Sequence, residues 1–248
     1  METVRIIQSS AENDAPCWLQ PCLQSVREWA DAKAYDYRFM GNELLDMVPD
    51  WYAEKLRGRT PIITDLARLN WMQREFASAG APDVIAWLDA DTLVFAPALA
   101  DVSVPGDCIF GREHWLQHES SGRPGKLRAY RSIHNAYCAF RRNSPTLPFL
   151  IETVQRLIAQ VDPARIAPQF VGPKLLSALH NIVKLDFDDR FGAISPTHAR
   201  LLLEGASAKS LPGNRSGPLC AANLSQSLQG EIDRLPLIEY LLKMRDGL

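Results

Sequence analysis

Five consecutive apolar residues, Val84-Ile85-Ala86-Trp87-Leu88, run straight into Asp89-Ala90-Asp91, and this junction constrains the fold more than any other segment. An uninterrupted apolar run of strand length, set off by the turn residues Gly80-Ala81-Pro82-Asp83, describes a strand buried on both faces by flanking helices. Thr92-Leu93-Val94-Phe95 resumes the apolar character until Pro97, so the acidic pair interrupts two buried segments. That is a costly position for charge without a partner. Ligands of open α/β sheets gather beyond the carboxyl ends of strands, where Asp89 and Asp91 would stand. Two carboxylates one residue apart can hold a hard divalent cation through oxygen. The spacing by itself is unspecific: about one Asp-x-Asp arises by chance in a chain of this kind, and Asp186-Phe187-Asp188 is a second match. A polar turn whose Asp residues cap backbone groups is the competing reading.

The rest of the chain alternates strand and helix signals. Val4 to Gln8 reads as a first strand, Trp18 to Ala30 as a helix and Tyr35 to Met40 as a second strand, a βαβ opening. Thr60-Pro61 starts a helix whose apolar positions Ile62, Leu66, Leu69, Met72 and Phe76 keep helical spacing up to Gly80. Further on come strands at Cys108 to Phe110 and Asn135 to Phe140, with polar residues 112–132 between them reading as a mobile loop over a site. Asn143-Ser144 can cap a helix to Val161, Gly172-Pro173 opens another to Asn181, and Val183 to Phe187 reads as a late strand. Residues 205–217 read as an exposed loop, and Glu231 to Arg245 as a terminal helix. The pattern predicts one α/β domain over residues 1–248, a central mixed sheet flanked by helices.

Composition narrows the partners. With 46% hydrophobic and 23% charged residues and a net charge of −2, nothing points to nucleic acid or to a basic membrane-facing surface. The arginines between Arg123 and Arg142 read as a solvated segment. Five cysteines without a Cys-x-x-Cys pair fit reduced thiols, and no run approaches the ~18 apolar residues of a membrane span. The expectation is a cytoplasmic protein without a transmembrane segment, peripheral at the inner membrane if its acceptor lies there.

The order of motifs resembles the glycosyltransferases with the Asp-x-Asp sugar-binding motif, among them yeast-type initiating mannosyltransferases, capsular polysaccharide transferases and the glucosylating domain of large clostridial toxins. Ile6-Ile7-Gln8-Ser9 looks like the family's first strand, whose end approaches the nucleotide. Thr64-Asp65-Leu66-Ala67-Arg68-Leu69 looks like its Ser-Asp-x-x-Arg helix, and Leu88-Asp89-Ala90-Asp91 like its metal motif. His134-Asn135-Ala136, Pro148-Phe149-Leu150 and Gly172-Pro173-Lys174-Leu175-Leu176 look like its Asn-Ala, His-Pro-Phe and Gly-Pro segments. Two departures stand out. Gly80-Ala81-Pro82-Asp83 replaces a Gly-Gly-x-Tyr, and Asn223 and Leu228 fall where a metal-binding His and a Trp would stand.

The resemblance implies a single-domain nucleotide-sugar transferase fold of the GT-A type. It implies retention at the anomeric carbon and a role in bacterial surface glycan synthesis, with a UDP- or GDP-sugar donor and a glycan or lipid-linked acceptor. A nucleoside diphosphate sugar would bind through Mn2+ or Mg2+ on Asp91 and Asp89, with Asn223 as a further oxygen ligand. Gln8, Ser9, Asp65, Asn135 and Gly172-Pro173-Lys174 would line the donor, while Arg68 and Lys174 stabilise charge on the leaving diphosphate. By chemistry alone, Asp65 and Arg68 equally well form a mutual ion pair, Asn135 a turn cap, and Gly172-Pro173 a plain helix start beside a solvated lysine. His114 and His118 read as a surface pair, and the isolated His198 as a minor candidate for the last metal ligand. Two rivals remain: a haloacid dehalogenase-like phosphohydrolase, in which Asp188-Asp189 supply later acids, and a nucleotide-sugar binding module without turnover.

Overall fold

The computed structural model describes residues 2–11, 15–119, 126–206, 217–245 and 248. Strand β1 (Val4–Ser9) and helix α1 (Leu19–Ala32) lead to β2 (Asp36–Met40), then to α2 (Asp50–Lys55), α3 (Thr60–Phe76) and β3 (Val84–Leu88). β4 (Thr92–Val94) follows the acidic turn, and β5 (Cys108–His118) and β6 (Leu127–Arg141) form a long antiparallel pair. Helices α4 (Thr146–Gln160) and α5 (Pro173–Val183), strands β7 (Phe187–Asp188) and β8 (Phe191–Ala193), α6 (Pro196–Leu203), β9 (Ala221–Asn223) and α7 (Arg234–Leu241) complete the chain.

The main sheet has the order β2-β1-β3-β6-β5-β7, with β1 parallel to β2 and β3, and β6 antiparallel to β3 and β5. A second, three-stranded sheet has the order β4-β9-β8. This is the mixed sheet flanked by helices that the alternation predicts. All five residues of β3 are buried, because its even positions (Val84, Ala86, Leu88) join a core under α1, α6 and α7 while Ile85 and Trp87 join one under α3, α4 and α5. Two-sided burial is what selects a fully apolar strand here.

Two expectations are corrected. Residues 112–118 and 127–132 are the paired strands of the β5–β6 hairpin rather than a loop, their backbone groups satisfying one another while polar side chains face water; residues 120–125 lie outside the described residues. The expected strand Val183 to Phe187 does not form, since α5 runs on through Val183 and stops at Lys184 in a left-handed conformation (φ 52°), leaving two strand residues. Most of the expected loop 205–217 also lies outside the described residues.

One irregularity shapes the site. β6 pairs Cys138 with Phe110 and then skips to His134 opposite Gly111, so Asn135, Ala136 and Tyr137 bulge from the ladder. The Asn135 and Ala136 carbonyls thereby turn to Arg68 and to the Asp89 N–H, while Tyr137 stays paired with Leu88 of β3. The five cysteines are unpaired, four of them buried, and among the described residues no helix is long and apolar enough to cross a membrane.

Candidate functional site

The acidic turn stands at the carboxyl end of β3, beside the carboxyl end of β1. The Asp89 N–H donates to the Ala136 carbonyl (2.8 Å), and the Asp89 carbonyl accepts from the Thr92 N–H (3.0 Å) and from Gln8 Nε2 (3.2 Å). Gln8 is fully buried and its Oε1 accepts from the Tyr37 hydroxyl (2.9 Å), so both ends of the amide are used in tying β2 and β1 to the turn. It braces the turn from behind. Ser9, the last residue of β1, is half-buried and donates weakly to the Gly41 carbonyl (3.4 Å).

Asp65 and Arg68 lie one turn apart on α3 and are both buried. Arg68 Nη2 meets Asp65 Oδ1 at 3.1 Å, while Nη1 meets Asp89 Oδ1 at 2.9 Å and donates to the Asn135 carbonyl at 2.6 Å. The guanidinium also lies 4.9 Å from the centroid of the Trp87 ring, whose Nε1 donates to Asp89 Oδ1 (2.6 Å). Asn135 Nδ2 donates to Asp65 Oδ1 (2.7 Å), and a Cβ on Gly172 would stand 2.8 Å from Asp65 Oδ2. The α3, β6 and α5 segments singled out in the sequence therefore converge on one buried polar network beside Asp89. Burial pushes the Asp65 carboxyl up to about 6, against the pull of Arg68 and Asn135. Arg68 spends these donors inside the protein and holds Asp89 in place. The ion pair and the convergence are both real.

Asp91 differs. Its carboxylate accepts from Asn223 Nδ2, and among the described residues no Lys, Arg or His lies within ion-pair distance of it. Burial and the nearby Asp89 raise its pKa, with Asn223 and Arg234 pulling the other way. Asn223 reaches Asp91 because β9 pairs with β4 directly after the turn, Thr92 opposite Asn223, and because the Leu224 N–H donates to the Asp91 carbonyl (2.8 Å). From the other side Arg234, at the start of α7, donates to the Leu224 and Ser225 carbonyls (3.0 and 2.8 Å) with its guanidinium 4.3 Å from the Trp18 ring centroid. Lys174, exposed in the first turn of α5, is without an ion pair among the described residues.

The donor chemistry suits a hard dication. Asp89, Asp91 and Asn223 offer oxygen only, although the Asn223 amide must turn over to present Oδ1. Among the described residues no group of three His, Cys, Asp or Glu is placed to cage a metal. Two carboxylates and an amide leave positions for diphosphate oxygens and water, the way Mg2+ is commonly held. His198 is buried on α6, its backbone N–H capped by Ser195. Asp188 and Asp189, the candidate acids of a phosphohydrolase, are committed to Arg190 (2.7 Å) and to a two-point bond with Arg112 (2.7 and 2.9 Å). Two shallow cavities, of about 470 and 580 Å3, lie elsewhere, beside Phe187 and beside Arg141.

Sequence reasoning missed Trp87 and Arg234. Trp87 and Asp89 are two apart at a strand end and so share a face, which was legible in principle. Arg234 was not, because only the folded chain brings α7 behind Asn223.

No known family profile matches the sequence, and no curated protein does. Solved structures with a similar outline include a glycosyltransferase involved in the glycosylation of the major capsid of PBCV-1, 10% identical over 96% of this chain and 98% of that one, with a TM-score of 0.49. Mouse xyloside xylosyltransferase 1 is 13% identical over 92% of this chain and 98% of that one (TM-score 0.45). The galactosyltransferase LgtC, solved with donor and acceptor sugar analogs, is 14% identical over 96% and 95% (TM-score 0.45).

Proposed function

We propose that the chain is a glycosyltransferase that moves a sugar from a nucleoside diphosphate sugar to a hydroxyl acceptor with a divalent metal, Mn2+ or Mg2+, at Asp91. The observation that carries this reading is the Asp91 carboxylate: crowded by protein, next to a second carboxylate, without a cationic partner among the described residues, at the carboxyl edge of a parallel strand pair. A bound dication would supply the missing positive charge and neutralise a departing diphosphate.

The chain's own residues divide the remaining work. Asp91 and Asn223 would hold the metal, and Asp89, oriented by Arg68 and Trp87, would take a ligand hydroxyl or metal-bound water through Oδ2. Lys174, exposed in the first turn of α5, would add a positive charge beside the diphosphate. Asp65 and Asn135 present the inner wall, against which Gly172 lets α5 approach. Ser9 closes the β1 end.

Titration calorimetry with UDP and GDP, with and without Mn2+, tests the reading. Metal-dependent binding by the native chain, weakened at least tenfold in Asp91→Asn and severalfold in Lys174→Met, is the expected result. Binding that ignores both Mn2+ and the Asp91 substitution, or phosphate release from simple phosphate esters, overturns it.

A further inference from the structure

Beyond the donor site, the β5–β6 hairpin carries an unexplained face. β6 pairs with β3 only as far as Tyr137, opposite Leu88, so residues 127–134 and their partners 111–118 continue past the acidic turn. Cross-strand partners in an antiparallel pair point to the same side, and alternate pairs share a face. One face thus carries Gly111 with His134, then Glu113 with Ser132, Trp115 with Tyr130, and Gln117 with Arg128. The opposite face carries Ile133 and Leu116, both buried.

The first face begins beside the candidate site, since His134 is two residues from Ala136, whose carbonyl accepts from the Asp89 N–H (2.8 Å), and it grows more exposed outward. Glu113, Ser132 and Trp115 are half-buried, while Tyr130, Gln117 and Arg128 are exposed. The Glu113 carboxyl has no hydrogen-bond or ion-pair partner among the described residues, and neither does the Trp115 indole N–H. Glu113 lies about 7 Å and Trp115 about 14 Å along the strand from the Gly111–His134 pair. Burial alone lifts the Glu113 carboxyl to about 7, so near neutrality it both donates and accepts.

We propose that this face of the hairpin, through Glu113, Ser132, Trp115 and Tyr130, binds a saccharide acceptor and leads its reacting end to the acidic turn; the acceptor role rests on the transferase reading above. Sugar rings have C–H faces that lie against the negative faces of aromatic rings and hydroxyls that need partners able to donate and accept. Two aromatics interleaved with a carboxyl, a hydroxyl and an amide supply both. Arg128 faces Glu119 (3.8 Å) and lies 4.9 Å from the Tyr130 ring centroid, so its charge is already engaged and the face does not select a strongly charged ligand.

The test is binding of the labelled full-length chain to a printed array of defined oligosaccharides without nucleotide or metal, followed by affinity measurement for the best-bound glycan in solution. Trp115→Ala and Tyr130→Ala should each weaken that glycan about tenfold and Glu113→Gln severalfold, with Arg131→Ala, on the opposite face, unchanged. In the same variants, Mn2+-dependent UDP or GDP affinity should stay at the native value. Absence of glycan binding by the native chain, or equal losses in Arg131→Ala, overturns the saccharide face while leaving the donor site standing. Failure of metal-dependent nucleotide binding with glycan binding retained overturns the transferase reading and leaves a saccharide-binding hairpin.

Discussion

Removing the Arg68 guanidinium should be among the most damaging single changes this fold can suffer. Arg68 stands between two carboxylates, 3.1 Å from Asp65 and 2.9 Å from Asp89, and is 5% exposed. In Arg68→Met a similar volume remains, but both carboxylates lose their counter-charge and the Asn135 carbonyl its donor. A stranded carboxylate escapes by taking up a proton, at about 1.4 kcal/mol for each pH unit above its unfolded pKa of about 3.9. At pH 7 that caps the penalty for an unpaired carboxylate at about 4 kcal/mol. Asp65, which burial already holds at about 6, has little further to rise and adds only about 1.4 kcal/mol. With some relaxation, the loss should be about 3–5 kcal/mol at pH 7, the usual cost of breaking a buried pair. At pH 5 that cap falls to about 1.5 kcal/mol, Asp65 is already protonated in the native protein, and the loss should shrink to about 1–2 kcal/mol. The sign follows from the raised pKa of Asp65: stability is fully present below its unfolded pKa and is lost as pH rises through about 6. Urea titrations of native and Arg68→Met protein at both pH values, followed by tryptophan fluorescence, measure this directly. A loss under about 1 kcal/mol at pH 7, or the same loss at both pH values, would refute the compensating role assigned to Arg68.

Because burial and Asp89 raise the pKa of Asp91, a metal must compete with a proton there, so Mn2+ affinity measured by calorimetry should grow as pH rises from 6 to 8 and flatten in Asp91→Asn. Gly172→Ala puts a Cβ 2.8 Å from Asp65 Oδ2 and should cost about 1–3 kcal/mol in thermal unfolding while weakening nucleotide binding. Gly111→Ala should cost more, since its Cβ would sit 2.6 Å from the His134 ring and 2.7 Å from the Phe191 carbonyl; adding His134→Ala should restore only part of the loss, because the backbone contact stays. Burial lowers the His134 pKa to about 4, so its contribution is present above its unfolded pKa of about 6.5 and is lost as pH falls through about 4; His134→Gln should flatten the acid limb of stability by about 3 kcal/mol.

How much was legible varies with the kind of burial each segment meets. β1, β3 and α3 could be read within a residue or two of their starts because each presents its apolar pattern to a core that tolerates no other arrangement. Residues 112–132 could not, because in a hairpin that overhangs the sheet one face meets water, and alternating Glu113, Trp115 and Gln117 look like loop composition. Val183 misled for the opposite reason: it is apolar yet 61% exposed at the end of a helix, where periodicity takes it for strand. At the site, the sequence pointed to Arg68 as a ligand contact, yet the folded chain surrounds it with carboxylates and carbonyls. Gln8, also read as a donor contact, has both ends of its amide engaged inside the protein.

From the one-dimensional chain come the α/β alternation, the buried β3 and the acidic turn at its end, since strand burial and helix periodicity are local consequences of side-chain order. Tertiary structure alone decided which carboxylate meets an arginine and which, among the described residues, has no cationic partner. Arg68 reaches Asp89 from 21 positions upstream and Asn223 reaches Asp91 from 132 positions downstream. Charge compensation acts through space over a few ångströms, a distance that sequence separation does not encode.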